Sequence, residues 1–280
     1  MRIRSLLYVP ASSGRFLARA HERGADAIIL DLEDAVAPAQ KDAARARLGE
    51  AVAMVRRSGA AVFVRINAEP ERCRLDAEAA CRAGADGLLV PKSRDPGAIA
   101  ALADFLSGIE QAISRSAVLL VPMIEDAGAV LDARIIAKAS PRVFALMTGG
   151  EDLATALNAE PSPDVLRFPK LLVHLAAKAA GVRSFGLLRT VADYNDPEGI
   201  EQSAYEARRH GFDGASCVHP AVVPILNRAF SPTEAELDHA RALIAAAAEA
   251  EAAGLGAFQF EGRMVDEPVV KRARALIEKA

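Results

Sequence analysis

A (β/α)8 barrel, an α/β TIM barrel with a C-terminal helical extension, is the fold that this 280-residue sequence predicts, on three observations. Eight short apolar runs recur along the chain, each followed by a polar turn and then an amphipathic stretch of helical length. The runs are continuous rather than alternating, as in parallel strands covered on both faces. Charged residues arrive directly after several of these runs, at the ends that a parallel barrel gathers at one mouth. The chain is 51% hydrophobic, enough for a substantial core, and its length fits a single barrel.

The first run, 5–9, leads into a helix that Ser12 or Ser13 can cap and that stops at Gly24. The second, 27–30, is followed by Asp31, Glu33 and Asp34, then by a helix over 40–57. The third run is 61–66, with a helix over 72–82, and the fourth is 87–90, after which Pro96 opens the next helix. Runs 118–123 and 143–147 are the fifth and sixth. A short helix over 152–157 follows, and Pro161 and Pro163 break the chain before a helix over 166–180. Run 184–188 is the seventh, Pro197 opens a helix that ends at Gly211, and 214–218 is the eighth. Gly24, Gly84 and Gly211 each stand two residues before an aspartate and a new strand, the pattern of a helix C-cap followed by a lead-in.

These units place a barrel domain over 1–230 and an extension over 231–280. The extension predicts a helix capped by Ser231 or Thr233 and running to about Ala253, a break at Gly254–Gly256, a connecting stretch over 258–263, and a last helix after Pro268. Such a segment is surplus to eightfold closure, so it must cap the barrel or pack on a neighbouring subunit.

Composition narrows the function. Lys+Arg 34 against Asp+Glu 37 leaves a net charge of −3 with both signs dispersed, which disfavours nucleic acid or an anionic membrane as partner. Cys73, Cys81 and Cys217 form no C-x-x-C pair and read as reduced, small hydrophobes. The apolar run 6–10 is too short for a signal-peptide core, and Glu249 and Glu251 interrupt the Ala-rich 242–253, so no targeting or membrane segment is expected. The expected location is the cytoplasm.

Positions 31, 65, 92, 125 and 152 stand 34, 27, 33 and 27 residues apart, about one βα unit each. One charged residue after one strand is a cap; five in succession point to a shared active-site mouth. The chemistry is metal-assisted. Glu125 and Asp152, from adjacent strands, can share a hard cation, with waters and a substrate carboxylate completing the coordination, as Mg2+ is usually held. Neither histidines nor thiols cluster there, which argues against zinc. Arg65 is a planar bidentate donor suited to a carboxylate or a developing enolate oxygen, and it can also pair with Glu33. Gly149 and Gly150 leave room for a ligand to approach the backbone.

The segments SLLYVP, AIILDLEDAV, VFVRIN, ADGLLVPK, MIED, GGEDLA, ASCVHP and GRMVDEPVVKRAR, in this order over nearly the whole chain, together resemble the citrate lyase beta-subunit-like family of CoA-ester lyases, in the phosphoenolpyruvate/pyruvate-binding barrel superfamily. The resemblance implies a Mg2+-dependent (or Mn2+-dependent) carbon–carbon lyase. Such an enzyme cleaves, or forms by Claisen condensation, a 3-hydroxyacyl-CoA of the malyl-CoA or citramalyl-CoA type, giving acetyl-CoA and a 2-keto acid. It implies Glu125 and Asp152 as metal ligands, with Glu125, Gly149 and Gly150 beside the substrate. Arg65 would bind the keto-acid carboxylate and stabilise the enolate, and Glu33 and Asp34 would hold metal-bound waters. Asp266 would supply a proton from a neighbouring subunit, so that the extension acts as a lid and the protein is a homotrimer or hexamer.

Three alternatives share the residues. The chain could be the beta subunit of a citrate lyase complex acting on an acyl-carrier-protein thioester, with the partner subunits that implies. It could be an aldolase on free 2-keto acids without CoA, or a non-catalytic ligand-binding barrel. The sequence departs from the family pattern at Ala11, Ala215, Ser216, Val222 and the segment 185–189, while the metal and arginine positions are intact.

Overall fold

The computed structural model describes residues 1–278. Eight strands make the barrel: β1 Ser5–Pro10, β2 Ala27–Asp31, β3 Ala61–Arg65, β4 Gly87–Val90, β5 Leu119–Ile124, β6 Ala145–Thr148, β7 Arg183–Phe185 and β8 Ala215–Cys217. They follow the order β7-β6-β5-β4-β3-β2-β1-β8, every pairing parallel. The ring closes where β7 meets the start of β8, through the bridge Phe185–Gly214 and the Gly186 N–H donating to the Gly214 carbonyl at 2.9 Å.

The strands are apolar throughout because both faces are covered. One parity fills the interior: Leu6, Ala27, Ile29, Ala61, Phe63, Leu89, Val121, Met123, Ala145, Met147 and Phe185 form one cluster, with Tyr8 and Phe144 packed against it. Gly87 makes room there, since a Cβ at that position would stand 2.6 Å from a carbon of the Phe63 ring. The other parity, including Ile28, Leu30, Val62, Val64, Leu88 and Leu120, is equally buried. Side chains alternate across a strand, so both sets must be apolar in a parallel barrel.

The helices between strands are α1 Gly14–Ala20, α2 Lys41–Ala46, α3 Leu48–Val55, α4 Pro70–Ala83, α5 Pro96–Ala112, α6 Ala127–Ala137, α7 Gly150–Ala156, α8 Pro163–Ala180 and α9 Pro197–His210, and α10 Val223–Ala229 follows β8. Gly24, Gly84 and Gly211 adopt φ of 70°, 88° and 99°, so they terminate helical turns in the left-handed conformation, as the sequence predicts. Three local expectations change. Ser13 stands at the N-cap of α1 but makes no side-chain cap; only its carbonyl serves the helix, accepting from Phe16 and Leu17. The helix expected over 40–57 breaks at Arg47, so α2 turns Lys41 and Arg45 toward β3 and α4 while α3 buries Leu48, Ala51, Val52 and Val55. Pro163, expected to break the chain, instead opens α8, where a missing N–H costs nothing.

The chain divides into two compact units, one of Ile3–Arg228 with Met1, the other of 229–278 with Arg2. In the second unit, α11 Glu234–Ala252 starts at a capping box in which Thr233 and Glu236 bond each other's backbone N–H. A two-stranded antiparallel hairpin, β9 Phe258–Phe260 and β10 Arg263–Val265, then precedes α12 Glu267–Glu278. Its turn residues Glu261 and Gly262 have φ of 46° and 77°, the left-handed pair that a tight hairpin requires. The sequence reading took this stretch for a connection, because FQF and RMV mix polar with apolar residues and form no continuous apolar run. Ala240, Leu243, Val265, Val270 and Ala273 form this unit's own core. The last two positions of the expected 231–280 extension, Lys279 and Ala280, lie outside the described residues. Among the described residues no helix is long and apolar enough to cross a membrane, and all three cysteines are free.

Candidate active site

The polar residues at the barrel mouth continue the interior parity of the strands. On β2 the inward series Ala27-Ile29 ends in Asp31, and on β3 the series Ala61-Phe63 ends in Arg65. Beyond β5 the series Val121-Met123 reaches Glu125, and beyond β6 the series Ala145-Met147 reaches Gly149. Each apolar column therefore carries its polar residue up to the C-terminal rim, where barrel enzymes keep their sites. A cavity of about 400 Å3 opens there, and Asp31, Asp34, Arg65, Glu125, Gly149, Gly150 and Asp152 are among its lining residues.

Arg65 is the most constrained of these. Its Nε donates to Asp31 Oδ1 at 2.7 Å and its Nη2 to Asp31 Oδ2 at 2.6 Å, a two-pronged pair between register neighbours. Its Nη1 serves Asp34 at 2.9 Å and Glu33 at 3.1 Å. The Tyr8 ring lies 5.2 Å from the guanidinium carbon, a cation–π contact. Asp31 also accepts from the Glu33 N–H at 2.9 Å and the Ala35 N–H at 3.2 Å, so it fixes the turn that carries the other two acids. The sequence reading placed Asp31 among the five charged residues at the shared mouth without giving it a specific role. It caps no helix, since the next helical residues begin at Pro38; it braces the turn after β2 and clamps Arg65.

Glu33 is buried but is not among the cavity-lining residues. It stands between Arg65 and Lys92, whose Nζ is 3.9 Å away, and burial pushes its carboxyl up to about 8 against the pull of Arg65. Glu125 is 4% exposed. Burial raises it to about 7, with the Asp152 charge adding to the effect and a 2.7 Å hydrogen bond from the Lys92 N–H opposing it. Lys92 donates that N–H from a left-handed backbone, φ 50°, a conformation that is uncommon outside glycine. Gly149 is required beside it, since a Cβ would stand 2.8 Å from Glu125 Cγ. Asp152 is exposed in the first turn of α7.

This donor set suits a hard divalent cation. Two carboxylates line one cavity, Glu125 just beyond β5 and Asp152 in the first turn of α7 after the neighbouring β6, and burial holds Glu125 above its ordinary range with the Asp152 charge adding to it. Among the described residues no group of three or more His, Cys, Asp or Glu side chains makes a ready cage. Two acids plus open coordination positions is how Mg2+ is commonly bound, whereas protein zinc sites usually include histidine or cysteine ligands.

Asp266 belongs to the second unit, where it stands immediately before α12 and its carbonyl accepts from the Val269 and Val270 N–H groups. The sequence reading passed over Tyr8 and Lys170, which also line the cavity. For Lys170 a signal existed. It falls on the apolar stripe of α8 with Leu166, Val173 and Ala177, where a charge is out of place.

The HpcH/HpaI aldolase/citrate lyase family profile matches residues 4–220. The chain is 33% identical to citrate lyase subunit beta of Haemophilus influenzae, covering 99% of this chain and 96% of that protein. It is 37% identical to (3S)-malyl-CoA thioesterase of Cereibacter sphaeroides, covering 99% and 94%. Among solved structures it resembles CitE from Mycobacterium tuberculosis in complex with magnesium, acetoacetate and coenzyme A, with a TM-score of 0.81 and 31% identity over 100% of this chain and 98% of that one.

Proposed function

We propose, from the premise that this chain belongs to the HpcH/HpaI aldolase/citrate lyase family and is therefore a lyase, that it cleaves or forms the carbon–carbon bond of a 3-hydroxyacyl thioester. The thioester is of the malyl-CoA or citramalyl-CoA class, and the products are acetyl-CoA and a 2-keto acid. The observation that carries this reading is that Arg65, Glu125 and Asp152 line one cavity at the barrel rim. Magnesium and coenzyme A in the related CitE complex support the same choice of cofactor and substrate.

Glu125 and Asp152 would hold Mg2+. When bound, the ion supplies a Lewis acid toward the keto-acid oxygens. Arg65 presents a guanidinium whose orientation Asp31 has already fixed, so no reorganisation is needed when negative charge develops on the departing enolate. Nε and Nη2 each give one hydrogen to Asp31 and Nη1 gives one to Asp34, with Glu33 an ion-pair neighbour at 3.1 Å, so the second Nη2 hydrogen is left for substrate. Asp34 at the cavity wall, and Glu33 behind it through Arg65, would orient waters bound to the ion. Tyr8, Met123 and Met147 give the floor an apolar surface that excludes further water. Asp266 carries the proton to or from the acetyl carbon, delivered by the extension of a neighbouring subunit in a trimer or hexamer.

A second reading, the beta subunit of a citrate lyase acting on a carrier-protein thioester, is favoured by the likeness to the Haemophilus protein over nearly its full length. Assay of malyl-, methylmalyl- and citramalyl-CoA with Mg2+, read by keto-acid release, separates the two. Turnover of a CoA ester supports the first, whereas activity that appears only with an acyl-carrier thioester supports the second. Keto-acid release from free 2-keto acids alone would replace both with an aldolase. Asp152→Asn should abolish the activity in a folded protein, and unchanged turnover removes the metal assignment. Mixing inactive Asp266→Ala with inactive Arg65→Ala subunits should restore partial activity, and failure to do so removes Asp266 from the neighbour's site.

A further inference from the structure

Lys170 is 3% exposed, yet its side chain helps to line the rim cavity. Lysine is rarely buried unless it is partnered, and here the partners are backbone. Its Nζ donates to the Leu187 carbonyl at 3.0 Å and to the Arg189 carbonyl at 2.7 Å. Both carbonyls lie in the irregular stretch that follows β7, where no strand neighbour supplies donors. The Arg189 side chain is in turn gripped by Asp193 at 2.5 Å and Asp196 at 2.9 Å.

The same stretch reaches the metal-side wall. Thr190, next after Arg189, donates its hydroxyl to the Glu151 carboxylate, and Glu151 is the residue before Asp152 in the first turn of α7. The amine is close to that turn as well, since a Cβ on Gly150 would stand 3.4 Å from Nζ. Thr190 and Val191 both line the cavity. Burial lowers Lys170 to about 8, and Glu151 is the acid that pulls it back.

We propose that Lys170 is a positioning residue for this site: it pins the 187–191 segment through two carbonyls, and Thr190 passes that constraint through Glu151 to the turn that carries Asp152. The inference rests on the reading of Glu125 and Asp152 as Mg2+ ligands. It gives Lys170 no contact with the cation or the reacting atoms. Its effect on the cation also has a sign opposite to that of its charge. An ammonium near a divalent ion repels it, so removing the charge alone should tighten Mg2+ binding. Removing a positioning residue should loosen it.

The test is calorimetric titration of the full-length protein with MgCl2, comparing wild type, Lys170→Met, Thr190→Val and the double variant. Partners that orient metal ligands commonly change affinity by about 10–100-fold. The expected result is Mg2+ affinity about tenfold weaker in each single variant and no weaker in the double variant than in Lys170→Met, because both cut one path. Unchanged or tighter Mg2+ binding by Lys170→Met, or multiplicative losses in the double variant, overturns the inference. Should Lys170→Met fail to fold, the half-buried and charge-neutral Thr190→Val decides alone, and its unchanged affinity overturns the inference. If the wild type binds no Mg2+, the metal reading fails with it. If the wild type binds and the variants match it, only the role of Lys170 falls.

Discussion

Asp31 and Arg65 face each other in register at the ends of β2 and β3, and their side chains repeat the pairing through two parallel hydrogen bonds of 2.7 and 2.6 Å. Asp31 is 1% exposed, so the pair is desolvated, and taking away one partner strands the other. Asp31→Ala should cost about 3–5 kcal/mol in denaturant unfolding, the scale for breaking a buried ion pair. Arg65→Lys keeps the charge but loses the fork, so kcat/KM should fall by about 100-fold or more. A lysine variant of near wild-type activity would show that the fork is dispensable.

Gly149→Ala tests the close approach of β6 to Glu125. The new methyl would stand 2.8 Å from Glu125 Cγ, so one of the two must shift. Overpacking of this kind costs about 1–3 kcal/mol. Thermal unfolding should show the loss, and Mg2+ titration should show weaker binding because the displaced group is a proposed ligand. Wild-type affinity in this variant would mean that Glu125 does not need its present position to bind the ion.

Stability without metal should fall with rising pH. Glu125 and Glu33 are raised to about 7 and about 8, above the unfolded carboxyl value of about 4.3. Between those limits the folded chain keeps protons that the unfolded chain has lost. Their contribution to stability is therefore complete below about pH 4 and lost as pH climbs through 7 to 8. Mg2+ binding to the ionised forms runs the other way, strengthening about tenfold per pH unit for each proton displaced. Melting curves with and without MgCl2 should separate further at about pH 8.5 than at about pH 6.5. Equal separations would argue against both carboxyls as the responsive groups.

Asp76 lies outside the cavity but underneath its acidic turn. It is fully buried, accepts from the Asn67 N–H at 2.9 Å, from Asn67 Nδ2 at 2.6 Å and from Arg45 Nε at 2.6 Å, and leaves Asn67 to hold the Leu32 carbonyl at 3.0 Å. Leu32 sits between Asp31 and Glu33. Asp76→Ala should lose about 3–5 kcal/mol of stability, measured by urea unfolding. It should also reduce turnover through the displaced turn. Full activity in a destabilised Asp76→Ala protein would confine this network to folding.

The barrel itself was legible in the sequence. Eight apolar runs at βα spacing fix parallel strands, and period-two alternation then dictates which residues turn inward, so Arg65 and Glu125 had to top interior columns once the fold was known. The membership of the family was legible for the same reason: motifs such as AIILDLEDAV and VFVRIN are whole strand ends, written contiguously. The hairpin β9–β10 was not, because its strands FQF and RMV carry polar residues and are largely exposed, so they form no continuous apolar run.

What only the tertiary structure decided is which charges meet. Nothing in the spacing of 31, 33 and 34 says that Asp31 takes both prongs of Arg65 while Glu33 is buried behind it. Nor does the sequence say that Lys170 bonds Leu187 and Arg189, 17 and 19 residues further on, instead of an acid. A strand's period determines the side of the sheet on which a residue falls. Which partner it finds there depends on distances across the barrel, and those exist only once the chain has closed on itself.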